Sequence, residues 1–183
     1  MPRLLEGAAS ALIVIDVQEA YRDKTVGHRD MVDRICRLVR AARIFDVPIL
    51  VTEQYPKGIG HTQSEVVELL DEDQTVIEKM TMSCCGRDAF VEELKAVGRR
   101  QLVVCGIEAH ACVNQTVHDL LERGFEVHLP RDAISSRFPL DGEVAWQKMT
   151  GSGAVPSSTE MICLEWVRTA EAAEFRDIHR LIK

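Results

Sequence analysis

The side chains able to do chemistry stand at the ends of apolar runs. Asp16 closes Ala11–Asp16 (ALIVID), Glu53 closes Pro48–Glu53 (PILVTE), and Lys79 closes Thr75–Lys79 (TVIEK). A fourth run, Gln101–Gly106 (QLVVCG), leads into Gly-Ile-Glu-Ala-His-Ala-Cys, residues 106–112. A carboxylate, an ammonium and a thiol together are the parts of a nucleophilic site: the acid takes the thiol proton, the cation favours the charged forms, and sulfur attacks an electrophilic carbon. Each residue also has an ordinary alternative. Asp16 could cap the turn after its run, Lys79 could be a solvated lysine, and Cys112 could be a small buried hydrophobe. The position of Cys112 weighs against the last. It is expected in the first turn of a helix, where unpaired backbone N–H groups and the positive end of the dipole favour thiolate.

The other thiols carry less. Cys36 and Cys163 fall within expected helices and Cys105 within a strand, while Cys84 and Cys85 follow Lys79 and read as core, loop or pocket-lining residues. The spacing of the six cysteines suits neither a disulfide framework nor zinc: C-x-x-C is absent, and Cys84-Cys85 are adjacent. Gly58-Ile-Gly60 and Gly151-Ser-Gly153 do not extend to G-x-G-x-x-G, and neither a P-loop nor a G-x-S-x-G elbow is present.

The elements that must position these residues alternate in type. After the first strand a helix is expected over His28–Phe45, with Met31, Ile35, Leu38, Val39 and Ala42 on one face. Thr62 with Glu65 suggests a capping box opening a short helix. Helices follow at Asp88–Val97 and at about Ala111–Glu122, each stopped by a glycine. A fifth strand, Glu126–Leu129, is closed by Pro130, Asp141–Thr150 reads as helix, and Ala154–Val155 as a short sixth strand. A helix capped by Ser157 and a tail, Ala170–Lys183, that reads as a final helix or a docked extension complete the chain. Continuous apolar strands separated by helices imply a largely parallel sheet of about six strands covered on both faces, one α/β domain over residues 1–183. In such a sheet ligands bind beyond the carboxyl ends of the strands, where all four reactive stretches lie.

Composition limits the partners. The chain has 183 residues, 46% hydrophobic and 28% charged, and 22 basic against 29 acidic side chains give a net charge of −7. That balance is globular and argues against nucleic acid, which needs a concentrated basic surface. The first ten residues lack the layout of a signal peptide, and no apolar run approaches the roughly 18 residues of a membrane span. The expected location is cytoplasmic.

Asp16 in VIDVQ, Lys79 after a third strand and Cys112 in GIEAHACVNQT resemble the isochorismatase-like cysteine hydrolases, a superfamily that includes nicotinamidases and N-carbamoylsarcosine amidohydrolases. The similarity runs over essentially the whole chain and includes RDAISS after strand five and GAVPSSTEM near the end; VTEQYPKGIGHT resembles the isochorismatase-domain branch. The resemblance implies a three-layer α/β/α sandwich, an Asp16-Lys79-Cys112 triad, a cis peptide at Ile107–Glu108 and an oxyanion hole from the backbone N–H groups of Glu108 and Cys112. It implies a substrate site touching Glu53, Tyr55 and His110, and a homo-oligomer. The reaction it implies is hydrolysis of a small amide or related C–N bond through a thioester. Nicotinamidases bind a metal through Asp-x-His and further histidines after strand two; here Glu53-Gln54-Tyr55 stands there with His61 nearby, so no metal and no cofactor are expected. Cys112 points away from vinyl ether cleavage of the isochorismatase type. A catalytically silent oligomeric binding or scaffold protein of the same fold, an isochorismatase-type vinyl ether hydrolase and a thiol-redox protein are the alternatives.

Overall fold

Apolar runs bounded by polar turns become strands buried on both sides. In the computed structural model, which describes residues 4–183, they are β1 (Ser10–Ile15), β2 (Ile49–Gln54), β3 (Val76–Lys79), β4 (Gln101–Ile107), β5 (Glu126–Pro130), β6 (Ile134–Ser135) and β7 (Val155–Ser157). All pair in parallel, in the order β3-β2-β1-β4-β5-β7, with β6 alongside the end of β4. Met1–Arg3, part of the stretch read above for a leader, lie outside the described residues.

The helices are α1 (His28–Ile44), two single turns α2 (Pro56–Ile59) and α3 (Ser64–Val67), α4 (Asp88–Val97), α5 (Asn114–Glu122), α6 (Pro139–Gly151), α7 (Thr159–Val167) and α8 (Phe175–Ile182). Strand side chains alternate between faces, and the two cores follow that period. Leu12, Val14, Val51 and Val103 pack with Ile35 and Leu38 of α1, Trp166 of α7 and Ile178 of α8. Ala11, Ile13, Leu50 and Val104 pack with Phe90 of α4, Val117 and Leu120 of α5 and Met149 of α6. The result is the expected three-layer α/β/α sandwich.

β1, β2 and β3 step outward in one direction, whereas β4, β5 and β7 step outward in the other, so the order of strands reverses between β1 and β4. The crevice at such a reversal is where open α/β sheets bind ligands. Gly106 makes the close approach there possible. Its φ is 119°, and a Cβ at this position would sit 2.1 Å from the Ile15 carbonyl oxygen.

The sheet has seven strands rather than about six: β6 is two residues long, too short for its periodicity to register. Thr62 caps no helix; its N–H and hydroxyl bind Glu53, Gln63 precedes α3, and Glu65 pairs with Arg22. Ser158, not Ser157, caps α7, accepting from Met161 N at 3.3 Å. Ahead of α5 the chain makes a π-helical turn, Ala109–Val113, so Cys112 stands in that wider turn and not in the first turn of α5.

Candidate active site

Register and strand period decide which side chains converge. Ile15 pairs with Thr52, and Gln54 with Lys79. On β2, Leu50 faces the α4–α6 layer, so Thr52 and Gln54 face it too, and Glu53 between them faces the α1 layer. On β3, Ile77 and Lys79 share the α4–α6 side, where Cys112 is also packed. Asp16 follows β1 in a left-handed conformation, φ 53°, one that aspartate tolerates better than most residues.

Three of the expected residues therefore meet. Lys79 Nζ donates to Asp16 Oδ2 at 2.7 Å, and the two side chains are 0% and 2% exposed. The same ammonium donates to Gln54 Oε1 at 2.8 Å and to the backbone carbonyls of Met82 at 3.1 Å and Thr81 at 3.2 Å. Thr52 Oγ1 donates to Asp16 Oδ1 at 2.8 Å, so each carboxylate oxygen is held by its own donor. The Cys112 thiol is buried beside this pair, close enough to feel the charge of both, and its sulfur is 4.0 Å from Met82 Sδ.

The electrostatics correct one expectation. Burial, and after it the charge of Asp16, push the Cys112 thiol up to about 12, while Lys79 pulls the other way. Cys112 therefore holds its proton more tightly than a free thiol, because the π-turn places it in the core rather than at an exposed helix start. For Lys79, burial works against the ammonium most strongly, but the Asp16 carboxylate opposes it, and the net shift is upward. Cys84 is fully buried nearby, its sulfur 3.7 Å from Thr52 Oγ1 and its N–H bonded to Thr116; burial raises it to about 12.

The peptide Ile107–Glu108 is cis. Glu108 precedes the π-turn, and its carbonyl accepts from Ala111 N at 3.0 Å and Val113 N at 3.3 Å, which folds the loop around Cys112. Tyr55, nearly half exposed, lines a cleft of about 510 Å³ with Lys57, Met80, Thr81 and Arg87, and Lys79 forms part of its wall. A larger cleft of about 620 Å³ opens at the opposite ends of β2 and β3, between Arg43, Asp71 and Glu93, and contains none of these residues. His110 Nδ1 lies 2.9 Å from Ser136 Oγ. Glu53 stands apart from the group: its Oε1 accepts from Thr62 N at 2.6 Å and Thr62 Oγ1 at 2.7 Å, and its Oε2 lies 3.0 Å from His61 Nδ1. With both oxygens engaged on the α1 side, Glu53 braces the β2 loop instead of lining the cavity. Among the described residues no group of three or more His, Cys, Asp or Glu is arranged to hold a metal ion, and no helix is long and apolar enough to cross a membrane.

Several contributors were not anticipated. Thr52 and Gln54 were legible in principle, as alternate residues next to β1 and β3. Gln18 joins the loops by donating to Gln54 O at 3.0 Å and Gly60 O at 2.6 Å and accepting from Gln54 N at 2.7 Å. Arg137 comes from a distant segment and binds Glu108 at 2.9 Å, with no sequence signal linking the two.

A family model described as the isochorismatase domain matches residues 10–161. Isochorismatase domain-containing protein 2 of Homo sapiens is 38% identical over 182 residues, covering 99% of this chain and 86% of that protein. A solved structure described as MAR1 ribonuclease from Caenorhabditis elegans superposes with a TM-score of 0.93 at 37% identity, over 98% of this chain and 92% of that one. An Escherichia coli structure described as an octameric hydrolase of unknown specificity shares the fold, with a TM-score of 0.89 at 20% identity over 100% and 96% of the two chains.

Proposed function

The chain belongs to the isochorismatase-domain family, and from that premise we propose that it is a metal-independent cysteine hydrolase, cleaving a C–N bond of a small amide-like molecule through a thioester on Cys112. Membership carries a hydrolase fold. The finer reading rests on one observation, the buried Lys79–Asp16 pair set against the Cys112 thiol.

With the thiol protonated at rest, proton transfer accompanies attack. Asp16 takes the Cys112 proton as sulfur adds to the carbonyl carbon, and Thr52 and Lys79 hold the carboxylate in place. The tetrahedral oxyanion is received by the backbone N–H groups of Glu108 and Cys112; one such donor is worth about 10²–10³ in rate. The C–N bond breaks as Asp16 returns the proton to the departing amine, leaving an acyl thioester. Water, giving its proton to Asp16, then adds to the thioester, and the acid leaves as the Cys112 thiol is restored. Tyr55 and His110 contact the substrate from the rim. Homo-oligomerisation fits the apolar residues left exposed along one edge, Val26, Phe138, Leu140 and Val144; light scattering on the purified chain reads the mass directly.

The test is a panel of small amides incubated with the protein and read by intact mass and by amine release. An acyl adduct that maps to Cys112 and is absent from Cys112→Ala is expected. Turnover retained by Cys112→Ala overturns the mechanism. Because the C. elegans neighbour is described as a ribonuclease, labelled RNA is included: Cys112-dependent RNA cleavage with every amide inert replaces the amide reading.

A further inference from the structure

The steps above leave unused two carboxamides that stand behind the Lys79 ammonium. β1 stops pairing with β2 at Asp16, whose N–H donates to Thr52 O at 3.1 Å and whose φ of 53° turns the chain out of the sheet. β2 runs on to Gln54. Alternate residues of a strand aim their main-chain groups at the same neighbour, so the N–H and C=O of Gln54, like those of Thr52, point to the side where β1 has ended. Gln18 fills that place with its side chain. Its Oε1 accepts from Gln54 N at 2.7 Å, and its Nε2 donates to Gln54 O at 3.0 Å and to Gly60 O at 2.6 Å. The carboxamide stands in for a main-chain peptide, fully buried, with its oxygen and both N–H groups engaged. Gln63, also fully buried, fixes the Gln18 main chain by donating from Nε2 to Gln18 O at 3.1 Å.

Gln54 passes this placement on to the ammonium. Its Oε1 accepts from Lys79 Nζ at 2.8 Å and its Nε2 donates to Met80 O at 3.0 Å. An ammonium has three protons to give, and Nζ has four acceptors. Asp16 at 2.7 Å and Gln54 at 2.8 Å are nearer than the carbonyls of Met82 at 3.1 Å and Thr81 at 3.2 Å. A flexible four-carbon stem does not fix the charge at its tip; a carboxylate after one strand and an amide at the end of another do. The Cys112 thiol feels that charge, which opposes the rise that burial imposes, so a displaced ammonium loosens its pull on the sulfur.

Resting on the hydrolase reading above, we propose that Gln54 and Gln18 are positioning residues for the reaction: Gln54 holds the Lys79 ammonium against Asp16 and beside Cys112, and Gln18 holds Gln54 by replacing the strand that ends at Asp16.

The test reads Cys112 without requiring turnover. Gln54→Met and Gln18→Met keep the side-chain length and remove the hydrogen bonds, and each is made in the wild type and in Lys79→Met. Alkylation by iodoacetamide at pH 9 is followed by mass at Cys112 and at Cys85, a buried thiol whose charged neighbours are Arg123 and Asp119. Gln54→Met should slow Cys112 about tenfold, the scale of one hydrogen bond to a charged group. Gln18→Met, one step further away, should slow it about fivefold, the scale of one neutral bond. Cys85 should keep its rate. In Lys79→Met neither substitution should change the Cys112 rate by more than about twofold, because no charge is left to position. Unchanged or faster alkylation of Cys112 in Gln54→Met and Gln18→Met overturns the proposal. The same fold-change in both backgrounds overturns it too, and would make the amides braces for their loops. Should Lys79→Met or Gln18→Met fail to fold, Gln54→Met in the wild type decides: a fall confined to Cys112 supports the proposal, and an equal change at Cys85 overturns it. On any amide that the panel shows to be a substrate, Gln54→Met should lower kcat with KM unchanged; a rise in KM alone overturns the positioning role. Absence of any acyl adduct in the panel, by contrast, sinks the hydrolase reading and leaves the alkylation cycle standing.

Discussion

Lys79→Met keeps the length and the apolar stem of the side chain and removes the ammonium. Four acceptors lose their donor: Asp16 Oδ2 at 2.7 Å, Gln54 Oε1 at 2.8 Å, and the carbonyls of Met82 at 3.1 Å and Thr81 at 3.2 Å. The largest loss is at Asp16, a buried carboxylate stripped of its counter-ion; breaking one side of such a pair costs about 3–5 kcal/mol. For a chain of this size each kcal/mol lowers Tm by roughly 2–4 °C, so a fall of about 6–20 °C is expected. Urea denaturation at pH 7 of the wild type, Lys79→Met, Asp16→Asn and the double variant closes a cycle. The double variant should be less destabilised than the sum of the singles by at least about 2 kcal/mol, because it leaves no charge unmatched. Single effects that add within about 0.5 kcal/mol, or a loss below about 1 kcal/mol for Lys79→Met, would mean that the pair behaves as a solvated surface bridge, and the electrostatic account of the site would fail.

Three further outcomes follow from the structure. With the Cys112 thiol raised to about 12, its alkylation by iodoacetamide should be slower at pH 7 than that of a free thiol and should keep rising beyond pH 9. A raised thiol stabilises the fold fully below its unfolded value near 8.5 and loses that contribution as pH climbs toward 12. The raised Cys84 and Lys79 act with the same sign, so the urea midpoint should fall steadily above pH 9. Gly106→Ala places a methyl group 2.1 Å from the Ile15 carbonyl oxygen at a φ of 119°, and should destabilise the chain by more than about 3 kcal/mol; a soluble variant with an unchanged urea midpoint would contradict the described approach of β4 to β1.

What could be read from sequence was set by local chemistry. Apolar runs ending in Asp16 and Lys79 marked strand ends because a charged side chain terminates a doubly buried strand, and the thiol lay where a fourth strand turned into a helix. Glu53 ends its run in the same way, yet strand period sends it to the other face of the sheet, a distinction that needs the phase of the strand as well as its end. The two residues of β6 carry too little pattern to show a period. The thiol's raised proton affinity depends on a π-turn sunk among buried neighbours, which helix propensity does not encode. Arg137 grips Glu108, the residue that starts the loop carrying Cys112, across 29 residues of chain, a pairing that exists only once the sheet has been ordered.

The reversal of strand order between β1 and β4 divides the chemistry between two lengths of chain. The carboxylate and the ammonium are contributed before the turn at Gly98, and the sulfur after it. On the proposed mechanism neither half carries a reactive centre by itself: the first holds the Lys79–Asp16 ion pair, the second the thiol. The proposed nucleophile then acquires its partners only when β4 docks along β1, and a chain that has not completed that step would expose an unpartnered cysteine rather than a prematurely active one.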